Sequence, residues 1–306
     1  MLTLLLLAQV ATPGEPLAGA ALVYGPRERC VLLVGGDADG ARPLLRLDQG
    51  AWKPIPGSEL PSRSLAAVAA DAEGNLLLHG GSVRERQADG TTDYRVRGDT
   101  WRWDGKAWSC VATDGPAPRD HHGMVFDARH RTFLLFGGSD ADPDGRSVLY
   151  GDTWEWRDGR WELVAEEGPR PGAHLALAHD TVRGRTVLVG GRGDDRTWEW
   201  DGTSWQALTR GPPASRVSPR LAWDPKAQRV LLFGGSAGAS HPADTWAWDG
   251  ERWSVVATSG PPGRTVHALA FDEARGVAVL FGGADGASVL GDLWELDGAR
   301  WTRLGR

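Results

Sequence analysis

Residues 151–161 read GDTWEWRDGRW, which packs three tryptophans, three acids and a Gly-containing turn into eleven positions. A buried indole removes about 150–250 Å² from water, so such a density calls for a structural reason. Close copies stand at 98–108 (GDTWRWDGKAW), 195–205 (DRTWEWDGTSW), 243–253 (ADTWAWDGERW) and 291–301 (GDLWELDGARW). A second element precedes each copy: LLLHGG, FLLFGG, TVLVGG, VLLFGG and AVLFGG, with VLLVGG ahead of a degenerate PLLRLDQGAW. The Gly-Gly pairs therefore fall at Gly35-Gly36, Gly80-Gly81, Gly137-Gly138, Gly190-Gly191, Gly234-Gly235 and Gly282-Gly283. Of the 16 tryptophans only Trp223 lies outside the Trp-rich element. The chain is an array of six repeats, and an array spreads one architecture over the whole length.

Within the unit 122–164, four short runs (HGMVFD, TFLLFGG, DTWEWRD, RWELVA) are separated by polar turns, so each unit reads as four strands. Asp-Gly between apolar runs marks hairpins and makes the sheet antiparallel. The second strand is apolar at nearly every position, which requires cover on both faces. Sheets stacked face to face around a ring meet that demand. The expected fold is all-β: a six-bladed β-propeller with four antiparallel strands per blade, the blades at about 16–57, 58–113, 114–166, 167–209, 210–257 and 258–306. Residues two apart on a strand share a face, so Trp154 and Trp156 fill the wedge between blades, which widens outward.

These residues resemble the kelch-repeat family, whose repeat carries Gly-Gly after the second strand and a spaced aromatic pair. The resemblance runs from about Pro16 to Leu304 and implies a fold like the central domain of galactose oxidase. Unit 1 departs from it, with Leu45 and Leu47 in place of the pair, and unit 6 keeps Trp294 but has Leu296. Smaller residues are thus expected to meet where the first and last blades close the ring. No terminal strand is exchanged to latch it, and Trp294→Ala is expected to destabilise less than Trp154→Ala.

The net charge of −6 argues against a nucleic-acid footprint. Cys30 and Cys110 belong to no metal-spaced motif and are expected to be buried free thiols. The start, MLTLLLLAQVATPGEP, has an apolar run too short to span a bilayer. Residues 1–15 read as a truncated signal segment, and an extracellular, periplasmic or cell-envelope location follows.

Strand alternation sorts the loops onto two faces. One carries only short turns. The other carries the inter-blade links and the long second-to-third connections at 82–98 and 139–151, and long loops on a rigid scaffold are where binding resides. On that face Arg63, Arg119, Arg216 and Arg264 each stand eight residues before a first-strand Asp, with His122 and His267 three residues after two of them. Pointing inward, they would form a positive collar for carboxylate or phosphate. The packing alternative has each arginine bind carbonyls between blades. Segment 82–98 reads as a projecting hairpin that presents Arg84, Arg86, Arg95 and Arg97 to an acidic partner or to solvent. Asp140, Asp142 and Asp144 open a D-x-D-x-D-G calcium loop that lacks its twelfth-position acid. Asp99, Asp152, Asp244 and Asp292, two residues before a tryptophan, are expected to tie down loops through backbone N–H groups.

The expected function is non-enzymatic binding of a protein or glycan, anionic ones included, with no nucleic acid, no membrane span and no cofactor unless calcium. The alternative is a sugar-acid mutarotase or epimerase using the channel-mouth Arg/His cluster, since kelch-like folds include sugar oxidases and isomerases. Galactose-oxidase chemistry is disfavoured, because neither cysteine forms a recognisable motif with Tyr24, Tyr94 or Tyr150. A third reading is a purely structural module of a larger assembly.

Overall fold

The computed structural model describes residues 17–36, 40–87, 89–141, 145–191, 194–208 and 216–305. The signal segment expected at residues 1–15 lies outside them. Six four-stranded antiparallel sheets, each cut from one contiguous stretch, are arranged radially, and no helix occurs among the described residues. The first strands (Ala20–Gly25, Ala67–Ala70, Gly123–Asp127, Leu175–Asp180, Arg220–Asp224 and Ala268–Asp272) lie side by side around the central channel. The circle closes between the first and last of them. The fold is the six-bladed β-propeller that the repeats demand.

The second strand is buried on both faces, as in Thr132–Phe136, because a neighbouring blade covers each side. The second tryptophan of each pair packs against the preceding blade. Trp156 joins the contact between blades 2 and 3, Trp200 that between 3 and 4, and Trp248 that between 4 and 5. Each such ring contributes roughly 4–6 kcal/mol of gross burial. Leu47 is the counterpart at the ring closure, but Leu296 faces blade 5 rather than blade 1. The two leucines therefore do not meet, because each second position of a pair looks only backward along the ring. Trp154 and Trp294 are both half-buried and both donate to an aspartate, so the structure gives no ground for the expected difference between them.

Fourth-strand tryptophans reach across the blade contacts by hydrogen bonding. Trp161 donates to Thr100 Oγ1, Trp205 to Thr153, Trp253 to Thr197 and Trp301 to Thr245, at 2.8–2.9 Å. At the two contacts made by blade 1, leucine holds the threonine's place, Leu44 opposite Trp108 and Leu293 opposite Trp52. Both indole N–H groups are buried there without a partner. An unmet buried donor costs about 1–3 kcal/mol, so blade 1 is joined to both of its neighbours by apolar packing without this bond.

The Gly-Gly pairs follow from the links between blades. Gly81 N–H donates to the Arg119 carbonyl at 2.9 Å, Gly36 to Arg63 at 2.7 Å and Gly235 to Arg264 at 2.8 Å. Gly80 has φ 64°, and a Cβ on it would stand 2.4 Å from the Arg119 oxygen. Only glycine lets the chain pass so close. Closure uses the same device, with Gly283 N–H donating to the Leu17 carbonyl and Leu17 N–H to Leu290, both at 2.9 Å. Cys30 and Cys110 are free thiols, but Cys110 is exposed because its outermost strand has no neighbour. Burial pushes the half-buried Cys30 thiol up to about 11.

Candidate functional site

Two residues beyond each link contact the chain turns into the left-handed region. The turning residues are Gly19, Leu65, His121, His174, Ser218 and Val266, one per blade, with φ between 46° and 71°. They form a backbone ring around the channel mouth. Leu65 N–H donates to Gly19 O (2.7 Å), His121 to Leu65 (3.2 Å), His174 to His121 (3.1 Å), Ser218 to His174 (2.7 Å) and Gly19 to Val266 (3.2 Å). A left-handed non-glycine residue costs roughly 1 kcal/mol, and the ring bonds offset that cost.

The ring is polar on one side only. The His121 and His174 imidazoles lie 3.9 Å apart, centroid to centroid. His174 Nδ1 is 2.9 Å from Ser218 Oγ, and His121 Nδ1 is 2.9 Å from Asp120 Oδ1. Asp120 also accepts from Ser82 (2.7 Å) and Ser139 (3.1 Å), which start the second-to-third connections of blades 2 and 3. Below the ring the channel opens into a recess of about 770 Å³, counting the space at its open end, lined by His121, His122, His174, Arg220 and otherwise by glycines and apolar residues, with no carboxylate among its described lining residues. The opposite mouth differs, with Asp71 and Glu273 around a wider cavity that includes Tyr24 and Trp223.

The four collar arginines are not in this recess. Arg119 is fully buried, with Nη1 and Nη2 donating to both oxygens of Asp152 at 2.7 and 2.9 Å, and Nη1 also to Gly137 O at 2.9 Å. Arg264 repeats this with Asp292 and Gly282, Arg63 binds Asp99 at 2.5 Å, and Arg216 binds Asp244 at 2.7 Å. Their guanidinium groups turn into the blade because an acid waits there. These aspartates also accept the indole N–H of Trp101, Trp154, Trp246 and Trp294. Asp99, Asp152, Asp244 and Asp292 therefore hold side chains where backbone N–H groups were expected.

His122 and His267 are buried too, with both ring nitrogens unpartnered. They pack on His79 and Phe233 of the preceding blades, at centroid distances of 5.6 Å. Burial first, then the charges of His79 and Arg119 at His122 and of Arg220 and Arg264 at His267, holds both imidazoles well below the ordinary range, and burial lowers His79 to about 3. Folded pKa values below the unfolded value of about 6.5 mean that acid protonates the unfolded chain first. Stability is therefore expected to fall as the pH drops from about 6.5 towards 3, by up to about 1.4 kcal/mol per unit for each such histidine. Urea midpoints at pH 7.5 and 5.5 measure this, and His267→Leu should flatten the slope. An equal slope in that variant would remove His267 from the account.

Residues 82–98 form the expected hairpin, Ser82–Arg86 pairing with Thr92–Val96. Arg95 and Arg97 both bind Glu85, at 3.1 and 2.5 Å, so this pair is held within the hairpin. Arg84 stands opposite the exposed Tyr94 in the register, and Arg86 opposite Thr92. Of the calcium triad, Asp140 accepts from the Ala141 N–H at 2.7 Å, while Asp142 and Asp144 lie outside the described residues. Among the described residues no cluster of three or more His, Cys, Asp or Glu is arranged to hold a metal ion.

Sequence reasoning missed His121, His174, Ser218 and Arg220. The available signal was positional: each ring residue follows its link residue by two, as His121 follows Arg119 and Ser218 follows Arg216.

Comparison with known proteins adds the following. No family model matches the chain. Mei4-dependent protein 6 of Schizosaccharomyces pombe is 27% identical over 167 residues, which cover 48% of this chain and 23% of that protein. The chain thus spans less than a quarter of the length of that relative. The solved structure titled "Structure of YjhT" superposes with a TM-score of 0.69 over 95% of this chain and 98% of that one, at 15% identity. That likeness is one of fold.

Proposed function

We propose that the chain is a non-enzymatic binding propeller that takes a protein or glycan partner at the link-side mouth of its channel. The observation that carries this reading is the polar sector His121–His174–Ser218, set on a rigid backbone ring and flanked by the hairpins at 82–96 and 139–149. Rigid polar groups at an open concave mouth suit recognition, since little ordering entropy remains to be lost on binding. The kelch resemblance and the export reading of the first residues fit a partner met in the envelope or outside the cell. The test is binding to a glycan and peptide array by the intact protein and by a His121→Leu/His174→Leu variant with matched thermal unfolding. Binding that the variant loses is expected; equal binding by both would remove the mouth from the function.

A second reading, sugar-acid mutarotation or epimerisation, is favoured by the same two imidazoles, which are proton-transfer groups at an open mouth. Exchange NMR of sugar-acid anomers with added protein tests it, and a rate equal to that in buffer excludes it.

A further inference from the structure

The six first strands share a register, which makes their residues comparable one by one. The residue paired with the position just before each Gly-Gly is Ala21, Ala67, Gly123, Ala176, Arg220 and Ala268. Five are alanine or glycine because the channel wall is crowded, as at Gly123, where a Cβ would stand 1.7 Å from Leu177 Cδ1. Blade 5 alone places an arginine there.

Arg220 differs from every link arginine in its partners. Its one hydrogen bond is from Nη1 to the Pro219 carbonyl at 3.1 Å, and no carboxylate pairs with it among the described residues. Among the described residues the Nε and Nη2 edge of the guanidinium makes no hydrogen bond. Its charge acts on His267, a buried imidazole held neutral by its surroundings. Removal from water lowers Arg220 to about 10, with no acid acting in the opposite direction. Arg220 is half-buried in the wall of the recess, and a half-buried cation without a counterion among the described residues carries a cost that a ligand anion would lower.

We propose that Arg220 is the carboxylate-binding residue of the channel mouth, gripping a ligand carboxylate side-on through Nε and Nη2, with His121 and His174 meeting the ligand's hydroxyl or amide groups and Ser218 holding the His174 ring. This rests on the mouth being the ligand site and adds the chemical class of what binds there. A carboxylate fits the free edge because its two coplanar oxygens match two parallel N–H groups. One negative charge also balances the single cation that lines the recess.

The probes are glucuronate, glucose, inorganic phosphate, and a short glutamate-rich peptide with its glutamine counterpart. Each is titrated at millimolar concentration by calorimetry into the intact protein and into Arg220→Gln and Arg220→Lys. Arg220 makes only one carbonyl contact, so both variants should melt close to the parent. Expected is binding of glucuronate but not glucose, weakened about tenfold or more in Arg220→Gln and less in Arg220→Lys, which keeps the charge but not the fork. A preference for the glutamate peptide over glucuronate would support the assignment and identify the carboxylate's source as a side chain. Equal binding of glucose and glucuronate, unchanged in Arg220→Gln, would overturn the carboxylate assignment while leaving the mouth as a site. Phosphate binding as well as glucuronate would overturn selectivity for carboxylate. No heat from any probe would overturn the proposal, and the array with the His121→Leu/His174→Leu variant would then decide separately whether the mouth binds anything.

Discussion

Trp200→Ala is expected to lower the free energy of unfolding by about 3–5 kcal/mol, the largest effect of any single substitution considered for this chain. Trp200 is 1% exposed and packs with Leu134 and Phe136 of the preceding blade and tilted against Trp205 at 5.5 Å. Its indole N–H has no hydrogen-bond partner, so the loss is one of packing alone. The cavity would open between rigid sheets that cannot collapse into it. Trp200→Leu should cost less, since Leu296 occupies the same position in blade 6 and is 2% exposed. Urea unfolding of the two variants gives both numbers. A loss below about 1 kcal/mol for alanine would mean that the blades relax together, against the close packing of protein interiors.

Arg119→Ala should cost about 3 kcal/mol. Breaking a buried pair by removing one partner costs about 3–5 kcal/mol, and the low end applies because Asp152 is 24% exposed. Arg119 also covers the Tyr150 ring at 4.1 Å and donates to two backbone carbonyls, Ala117 and Gly137. Lysine should not rescue it, because a point charge cannot reproduce two parallel bonds to one carboxylate. Removing both charges in an Arg119→Met/Asp152→Leu variant should recover part of the loss, as the uncompensated carboxylate is then gone. The double variant being as unstable as the single would assign the effect to packing over Tyr150. An Arg119→Ala protein of undiminished stability that loses anion binding would restore the arginine collar read from the links.

The contrast between Arg119 and Arg220 marks the limit of what the repeats disclose. Blade number, strand order, inter-blade tryptophans and the Gly-Gly turns were all legible, because each obeys a local period: two residues along a strand, or one unit along the chain. The left-handed ring was not legible, since Leu65, His121, Ser218 and Val266 share a backbone role but no side-chain type. A reader of the chain sees arginines before first strands and cannot tell which are neutralised. Arg63 meets Asp99 across 36 residues and Arg119 meets Asp152 across 33, distances along the chain at which composition and period carry no information. His121 and His174 belong to different blades and touch only because blades 3 and 4 pack side by side.

By itself, then, the sequence determined the propeller, its six units and the face on which links and long loops gather, since the repeat leaves no other way to bury so many flat apolar strands and indoles. Only the tertiary structure decided which polar groups are free to act. Folding of each blade pairs four arginines with aspartates, stacking of the blades seals His122 and His267 between them, and Arg220 is left without a counterion among the described residues, in the recess that His121 and His174 also line. Charge neutralisation and desolvation depend on neighbours in space, and those neighbours exist only once the blades are formed and stacked.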